Sequence, residues 1–321
     1  MDEATRAGRR EQARRRVQRQ RRLVAVGAGG LALAVLLAVG GALVVAGPEA
    51  DGPVADERQP AELPRGGQVI LPRNRVVAFY GAPRDPELGT LGIGSPDRVA
   101  RRLERQASQY ARPGRPALPA FELIATLVTQ EAGEDGDHAL HEEDATIRRY
   151  LRAARAHEAL LILDVQPGYA SFLDEARRLE PFLRQPEVSL ALDPEWSLDP
   201  PQLPGQEIGS TDAATINSVS RYLSRLVRRH DLPQKLLVVH RFTEEMVQSE
   251  EQLERHPGVA LVVNVDGFGD RPNKVAKYGQ LARKRRSSFN GFKLFYEEDI
   301  GLMGPEEVLR LRPQPDLVVY E

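Results

Sequence analysis

The sequence predicts an α/β fold, a (β/α)8 barrel of the TIM type, preceded by one N-terminal transmembrane helix. Three observations predict it. Eight short and nearly continuous apolar runs recur from Val76 to the end of the chain. Segments with helical periodicity separate successive runs. One stretch near the N-terminus is long, apolar and uncharged.

That stretch is Leu23–Ala46, 24 residues without a charged side chain. At about 1.5 Å per residue it can cross a hydrocarbon core of roughly 30 Å. A secretory signal core is usually shorter, about 7–15 residues, so an uncleaved anchor is expected. Residues 1–22 hold nine Arg and no Lys. By the positive-inside rule this head stays in the cytoplasm and the body lies outside. Residues 47–73 are rich in Pro, Gly, Ala and acids and read as a linker; within it Gln68–Leu71 is an apolar patch able to cover the base of the following domain.

Residues 74–321 then carry the barrel. The strand-like runs are Val76–Tyr80, Phe121–Val128, Ala159–Val165, Val188–Leu192, Lys235–His240, Val259–Val265, Phe292–Tyr296 and Asp316–Tyr320. Their continuous apolar character suits parallel strands covered on both faces. Between them come seven helical patterns. Ser95-Pro96-Asp97 opens one with Val99, Leu103 and Ala107 on a single face, and Pro is well placed at the first helical position. Asp144 precedes Ile147, Tyr150, Leu151 and Ala154; Ser171 precedes Phe172, Ala176, Leu179 and Leu183. Ser210 and Thr211 precede Ile216, Val219, Leu223 and Leu226, and Thr243 caps Met246, Val247 and Leu253. Pro272 or Asn273 opens Val275, Tyr278 and Leu281, and Pro305 opens Val308 and Leu309. Eight strands alternating with seven helices favour a closed barrel over an open doubly wound sheet.

Composition narrows the chemistry. The chain has no Cys, which removes thiol catalysis, thiolate metal sites and disulfides. With its basic head set aside, the remainder carries an acidic excess of about eight, so nucleic acid is not an expected partner. No Walker, G-x-S-x-G or H-E-x-x-H motif is present, and no cofactor is expected.

In a barrel the site lies at the C-terminal ends of the strands. Those ends supply Tyr80, Asp164 with Gln166, Asp193 with Glu195 and Trp196, His240 with Arg241, Asn264 with Asp266, and Lys293 with Tyr296. Strand alternation makes Asp164/Gln166, Asp193/Glu195 and Asn264/Asp266 same-face pairs. Paired carboxylates beside an aromatic residue point to glycoside cleavage, in which one carboxyl protonates the leaving oxygen and another acts as nucleophile, base or electrostatic stabiliser. Glu195, next to Trp196, is the expected acid; Asp193, Asp266 and Asp164 are the other catalytic candidates. Tyr80, Gln166, Trp196, His240, Asn264, Lys293 and Tyr296 are expected to bind substrate, with Trp196 stacking on a sugar face. The alternative for Asp164, Asp193, Asp266 and Lys293 is a buried ion network. A second alternative is a metal-dependent phosphodiester or amide hydrolase, in which His138 and His141 of the acidic run Glu131–Asp144 join Asp164 and His240 around a metal ion.

Asp193-Pro194-Glu195 at the end of a fourth strand resembles the close of the D-x-x-D-x-D-x-E motif of chitinase-like glycosidases and the D-x-E of barrel-type lysozymes. Val188 and Ala191 stand where the first two acids of the longer motif would be. More widely, VVAFYGAPRDPELGTLG, LLILDVQPG, LALDPEW, LLVVHRFT, VNVDGFGD, GFKLFYEED and PDLVVYE resemble blocks of an uncharacterised family of envelope-anchored barrel proteins of actinobacteria. That resemblance implies a barrel held at the cell membrane, not an activity; the paired carboxylates make a cell-envelope glycan the expected partner. The glycan is expected either to be hydrolysed or to be bound without cleavage.

Overall fold

A computed structural model describes residues 61–283 and 287–321. Eight parallel strands close on themselves: β1 (Arg75–Gly81), β2 (Ala117–Val128), β3 (Leu160–Val165), β4 (Val188–Leu192), β5 (Lys235–Arg241), β6 (Val259–Val265), β7 (Phe289–Leu294) and β8 (Leu317–Tyr320). Each pairs with its sequence neighbours, and β1 pairs with both β2 and β8, which completes the ring. The fold is a TIM-type α/β barrel. Around it lie α1 (Pro96–Ser108), α2 (Asp144–Ala156), α3 (Phe172–Arg178), α4 (Glu180–Leu183), α5 (Ala213–Arg229), α6 (Arg271–Leu281) and α7 (Pro305–Leu309).

The periodicity of each strand sorts its side chains into two cores. Outward-facing residues such as Phe79, Phe121, Leu163, Leu190, Val239 and Tyr320 pack against the helices. Their neighbours Ala78, Ala120, Ile162, Ala191, Val238, Val262 and Val319 fill the barrel. Leu63, Ile70 and Leu71 join this inner cluster. The side-chain oxygen of Gln234 accepts from the Ile70 and Leu71 backbone N–H groups at 2.8 and 2.9 Å. The packed body therefore includes part of the expected linker, and the apolar patch closes the base of the barrel. The Arg-rich head, Leu23–Ala46 and linker residues 47–60 lie outside the described residues; among those described, no helix is long and apolar enough to cross a membrane.

Three local expectations are corrected. Between β5 and β6 there is no α-helix: Val247–Gln248 pairs with Thr211–Asp212 as a small two-stranded sheet, and Glu250–Gln252 forms a single 3-10 turn. Met246, Val247 and Leu253 are buried as the periodicity requires, but four Glu in the same stretch repel one another on a short helix, and Ser249 sits at φ 52°. The helix following β6 is capped by Asp270, which accepts from Asn273 N, and it turns Lys274 inward while Val275 stays 44% exposed. Lys274 Nζ donates to Gly267 O and Lys293 O and pairs with Asp299, tying the ends of β6 and β7 together. Last, the alternation expected through Asp193 and Glu195 stops at Leu192. Pro194 fixes its φ and starts the 3-10 turn Pro194–Trp196, so the two acids leave a turn rather than one face of a strand.

Candidate active site at the mouth of the barrel

The inward-facing side chains form layers, each layer drawn from alternate strands. Near the C-terminal end one layer takes Tyr80, Asp164, His240 and Lys293 from the odd-numbered strands. Their contacts are mutual: Tyr80 Oη donates to Asp164 Oδ2 at 2.9 Å, the Tyr80 and His240 rings lie 5.9 Å apart edge to face, and Lys293 Nζ is 3.6 Å from the centre of the Tyr80 ring. The even-numbered strands contribute Glu122 and Asn264 below this layer, and Asp193, Asp266 and Glu321 above it. Barrel layers are ordinarily aliphatic. Here all of these side chains are polar, and nearly all are buried.

His240 is at the centre. Its Nε2 lies 2.7 Å from Glu122 Oε1, and its Nδ1 lies 3.2 Å from Asn264 Nδ2 and 3.4 Å from Asp266 Oδ2. Burial alone would push the imidazole toward its neutral form, but Glu122 and Asp266 outweigh it and hold the His240 pKa well above its ordinary value. Burial also drives Asp164 upward, to about 6, against the attraction of His240 and with the repulsion of Glu122 added. Asp164 and His240 are thus neighbouring groups both pushed toward their proton-bearing forms.

Lys293 pairs with Asp266 Oδ2 at 3.2 Å and with Glu321 Oε2 at 2.8 Å. Asp266 also accepts from the Gly267 backbone N–H at 2.6 Å. Gln166 uses both ends of its amide, donating to Tyr80 Oη at 3.2 Å and accepting from Val128 N at 3.2 Å. The Asp164/Gln166 and Asn264/Asp266 pairs therefore behave as alternation predicts, each converging on one partner, Tyr80 and His240 respectively. Gly291 makes the Asn264 position possible, because a Cβ there would come 2.3 Å from Asn264 Oδ1.

The structure does not bring every expected residue to this cluster. Tyr296 lies past the end of β7 and stacks on Tyr320, ring centres 5.1 Å apart, on the helical side of the strands. Trp196 is 3% exposed and packs with Val128, so it offers no open face to a sugar. Arg241 points away from the interior and pairs with Glu250 at 2.7 Å. The acidic run after β2 builds a short strand, Ala139–His141, antiparallel to β2. His141 there bonds to Glu175 at 2.8 Å, and the His138 ring sits edge to face on Tyr169. Burial raises the Glu175 carboxyl, but hydrogen bonds from His141 and Thr126 and the nearby Arg178 prevail and hold it at about 2. His141 is thus engaged in the outer layer. Among the described residues, the group of His, Asp and Glu close enough to share a metal ion is Glu122, Asp164 and His240, with one ligand atom each within 4.8 Å of the others.

Two members of the site escape a reading of strand ends. Glu122 is the sixth residue of a strand of twelve, and β2 runs on past the mouth. Its signal is a lone carboxylate in the apolar run AFELIATLV, on the same face as Ala120. Glu321 follows β8 directly, two residues beyond the inward Val319.

No family model matches this chain, and no curated protein does. Among solved structures, it is similar to a 3-keto-D-glucoside 4-epimerase from E. coli at 11% identity and a TM-score of 0.38, covering 76% of this chain and 90% of that one. It is also similar to a glycerophosphoryl diester phosphodiesterase from Parabacteroides distasonis at 12% identity and a TM-score of 0.35, covering 79% and 85%.

Proposed function

We propose that the protein is an enzyme acting at the mouth of its barrel, and that it hydrolyses glycosidic bonds in a cell-envelope polysaccharide. The observation that supports this reading is the replacement of aliphatic barrel layers by Tyr80, Asp164, His240 and Lys293, with Asp193, Asp266 and Glu321 above them. Ionised groups in a barrel interior carry a penalty of several kcal/mol each unless paired. They stand where substrates bind in this fold.

Glycoside cleavage needs a proton donor and a second carboxyl group acting on the anomeric carbon. Glu195, just beyond β4, is the assigned donor: its proton passes to the glycosidic oxygen as the C–O bond breaks. Asp193 is the assigned partner, as nucleophile or as base toward water. Asp266 is the alternative partner; its Oδ2 pairs with Lys293 and its Oδ1 accepts from the Gly267 N–H. His240, Asn264, Gln166 and Tyr80 then hold the floor of the site. In the same reading the body faces the outside of the cell on the Leu23–Ala46 anchor; protease accessibility of the body in intact cells tests that topology.

A second reading, glycan binding without cleavage, draws support from the internal pairing of Lys293 with Asp266 and Glu321. Incubating the purified full chain with envelope polysaccharides and measuring newly formed reducing ends separates the two. Release that disappears in Glu195→Gln and Asp193→Asn supports hydrolysis; saturable binding without release supports the second reading.

A further inference from the structure

We infer that Glu122, Asp164 and His240 form a binding site for one divalent transition-metal ion beneath the mouth of the barrel. The inference does not depend on the glycan reading.

The three side chains come from β2, β3 and β5, strands whose backbones are fixed by the barrel's own hydrogen bonds, so the ligand atoms are carried on rigid supports. Each is fully or almost fully buried. Their ligand atoms lie within 4.8 Å of one another. Closing them on an ion at about 2.1 Å asks each side chain to move by about an ångström or less.

Three further features point to an ion rather than to a closed hydrogen-bond network. First, each carboxylate keeps one oxygen in reserve. Glu122 Oε1 meets His240 and Asp164 Oδ2 meets Tyr80, while Glu122 Oε2 and Asp164 Oδ1 have no hydrogen-bond partner among the described residues. Buried carboxylate oxygens left in that state are strongly destabilising, and one cation satisfies both. Second, His240 is oriented as metal-bound imidazoles are. With Nε2 turned to the ion, Nδ1 faces Asp266 Oδ2 at 3.4 Å, and Lys293 Nζ holds the same oxygen at 3.2 Å. A carboxylate on the far nitrogen fixes the tautomer and raises ligand basicity. Third, Asn264 Oδ1 also has no partner among the described residues and lies beside the same ring. A half-turn of this amide directs its oxygen at an Nδ1–H, giving the ring a second acceptor.

The donor set selects the ion. Two carboxylate oxygens and one imidazole nitrogen suit Mn²⁺, Fe²⁺ or Zn²⁺, whereas Mg²⁺ and Ca²⁺ prefer oxygen alone. An imidazole binds a metal through an unprotonated nitrogen, so uptake of the ion at Nε2 releases any proton held there.

The test uses the full chain, purified without a histidine tag and stripped with EDTA, titrated with MnCl₂ alone. Electron paramagnetic resonance counts the free ion, and pulsed measurements report nitrogen coupling to the bound one. One Mn²⁺ per chain with a single coupled nitrogen is expected, displaced by Zn²⁺. Affinity should fall at least about tenfold in Glu122→Gln and in Asp164→Asn, and stay unchanged in His141→Ala. The nitrogen signal needs only the unmodified chain, so it decides the matter even where a variant does not fold. Absence of stoichiometric binding, a bound ion without a nitrogen ligand, or full affinity in both carboxylate variants overturns the site. None of these readouts involves a substrate, so failure of the glycan reading leaves them intact.

Discussion

His240 Nε2 meets Glu122 Oε1 at 2.7 Å in the interior of the barrel, with both side chains at most 1% exposed. The pair bridges β2 and β5 across the barrel. Removing Glu122 leaves His240 Nε2 buried without its partner, and removing His240 does the same to Glu122 Oε1. Glu122→Leu is therefore expected to lower unfolding free energy by about 3–5 kcal/mol. Adding His240→Leu should restore part of it, giving a coupling of about 1–3 kcal/mol in a double-mutant cycle. Urea denaturation of the four proteins measures this. Strict additivity would show that the two side chains do not act as a pair.

Gly291 and Asn264 make a second, steric test. A Cβ at residue 291 would approach Asn264 Oδ1 to 2.3 Å and its Cα to 3.1 Å. Gly291→Ala should thus destabilise by about 1–3 kcal/mol, although alanine otherwise favours a strand over glycine. Asn264→Ala in the same chain removes the nearer clash and should recover part of the loss. A neutral Gly291→Ala would mean that Asn264 does not occupy the space over β7.

Lys235, at the base of β5, carries a pH signature. Its ammonium donates to Gln185 O and Val188 O at 2.9 and 2.7 Å, yet burial lowers its pKa from 10.5 to about 7. Between those two values the unfolded chain binds the extra proton and the folded chain does not. Stability contributed at this residue therefore rises as pH rises through that window and levels off above it. Lys235→Met should remove the slope. Denaturation of both proteins from pH 6.5 to 10 checks this through their difference. Parallel curves would show that Lys235 stays charged when folded.

Trp196 separates the sequence expectation from the structure directly, because it is the chain's one tryptophan. A ring stacking on sugar would be open to solvent; the observed ring lies under cover beside Val128. Its fluorescence should accordingly be blue-shifted and poorly quenched by acrylamide. Trp196→Phe should lower stability and leave KM for any glycan nearly unchanged. Strong quenching, or a KM raised at least about tenfold, would return Trp196 to the binding surface.

The barrel was legible because its physics is written in composition. Strands covered on both faces read as unbroken apolar runs, and helices packed on one side keep their period. A titratable residue within or at the end of such a run, as at Asp164, His240 and Lys293, is legible in the sequence. Glu122 is not legible from strand ends because β2 has twelve residues and Glu122 is its sixth. Tyr296 was misplaced because β7 ends at Leu294, and alternation does not extend beyond the ladder. Glu195 and Trp196 were read through Pro194 as a strand, whereas the proline starts a turn. Of the metal-capable set, Asp164 and His240 are legible at strand ends, whereas His138 and His141 resemble ligands only by sitting among many acids. That hairpin instead lies on the outer side of β2, with His141 committed to Glu175.

The most direct test of the central claim is the rate at which the purified full chain releases reducing ends from cell-envelope polysaccharide, compared with Glu195→Gln and Asp193→Asn. The account predicts turnover in the unmodified protein and a loss of about 10²–10⁴-fold in kcat for Glu195→Gln. It predicts a comparable loss for Asp193→Asn, with both variants still folded by circular dichroism. Turnover that survives in both folded variants, or none on any glycan offered to the unmodified chain, would contradict it.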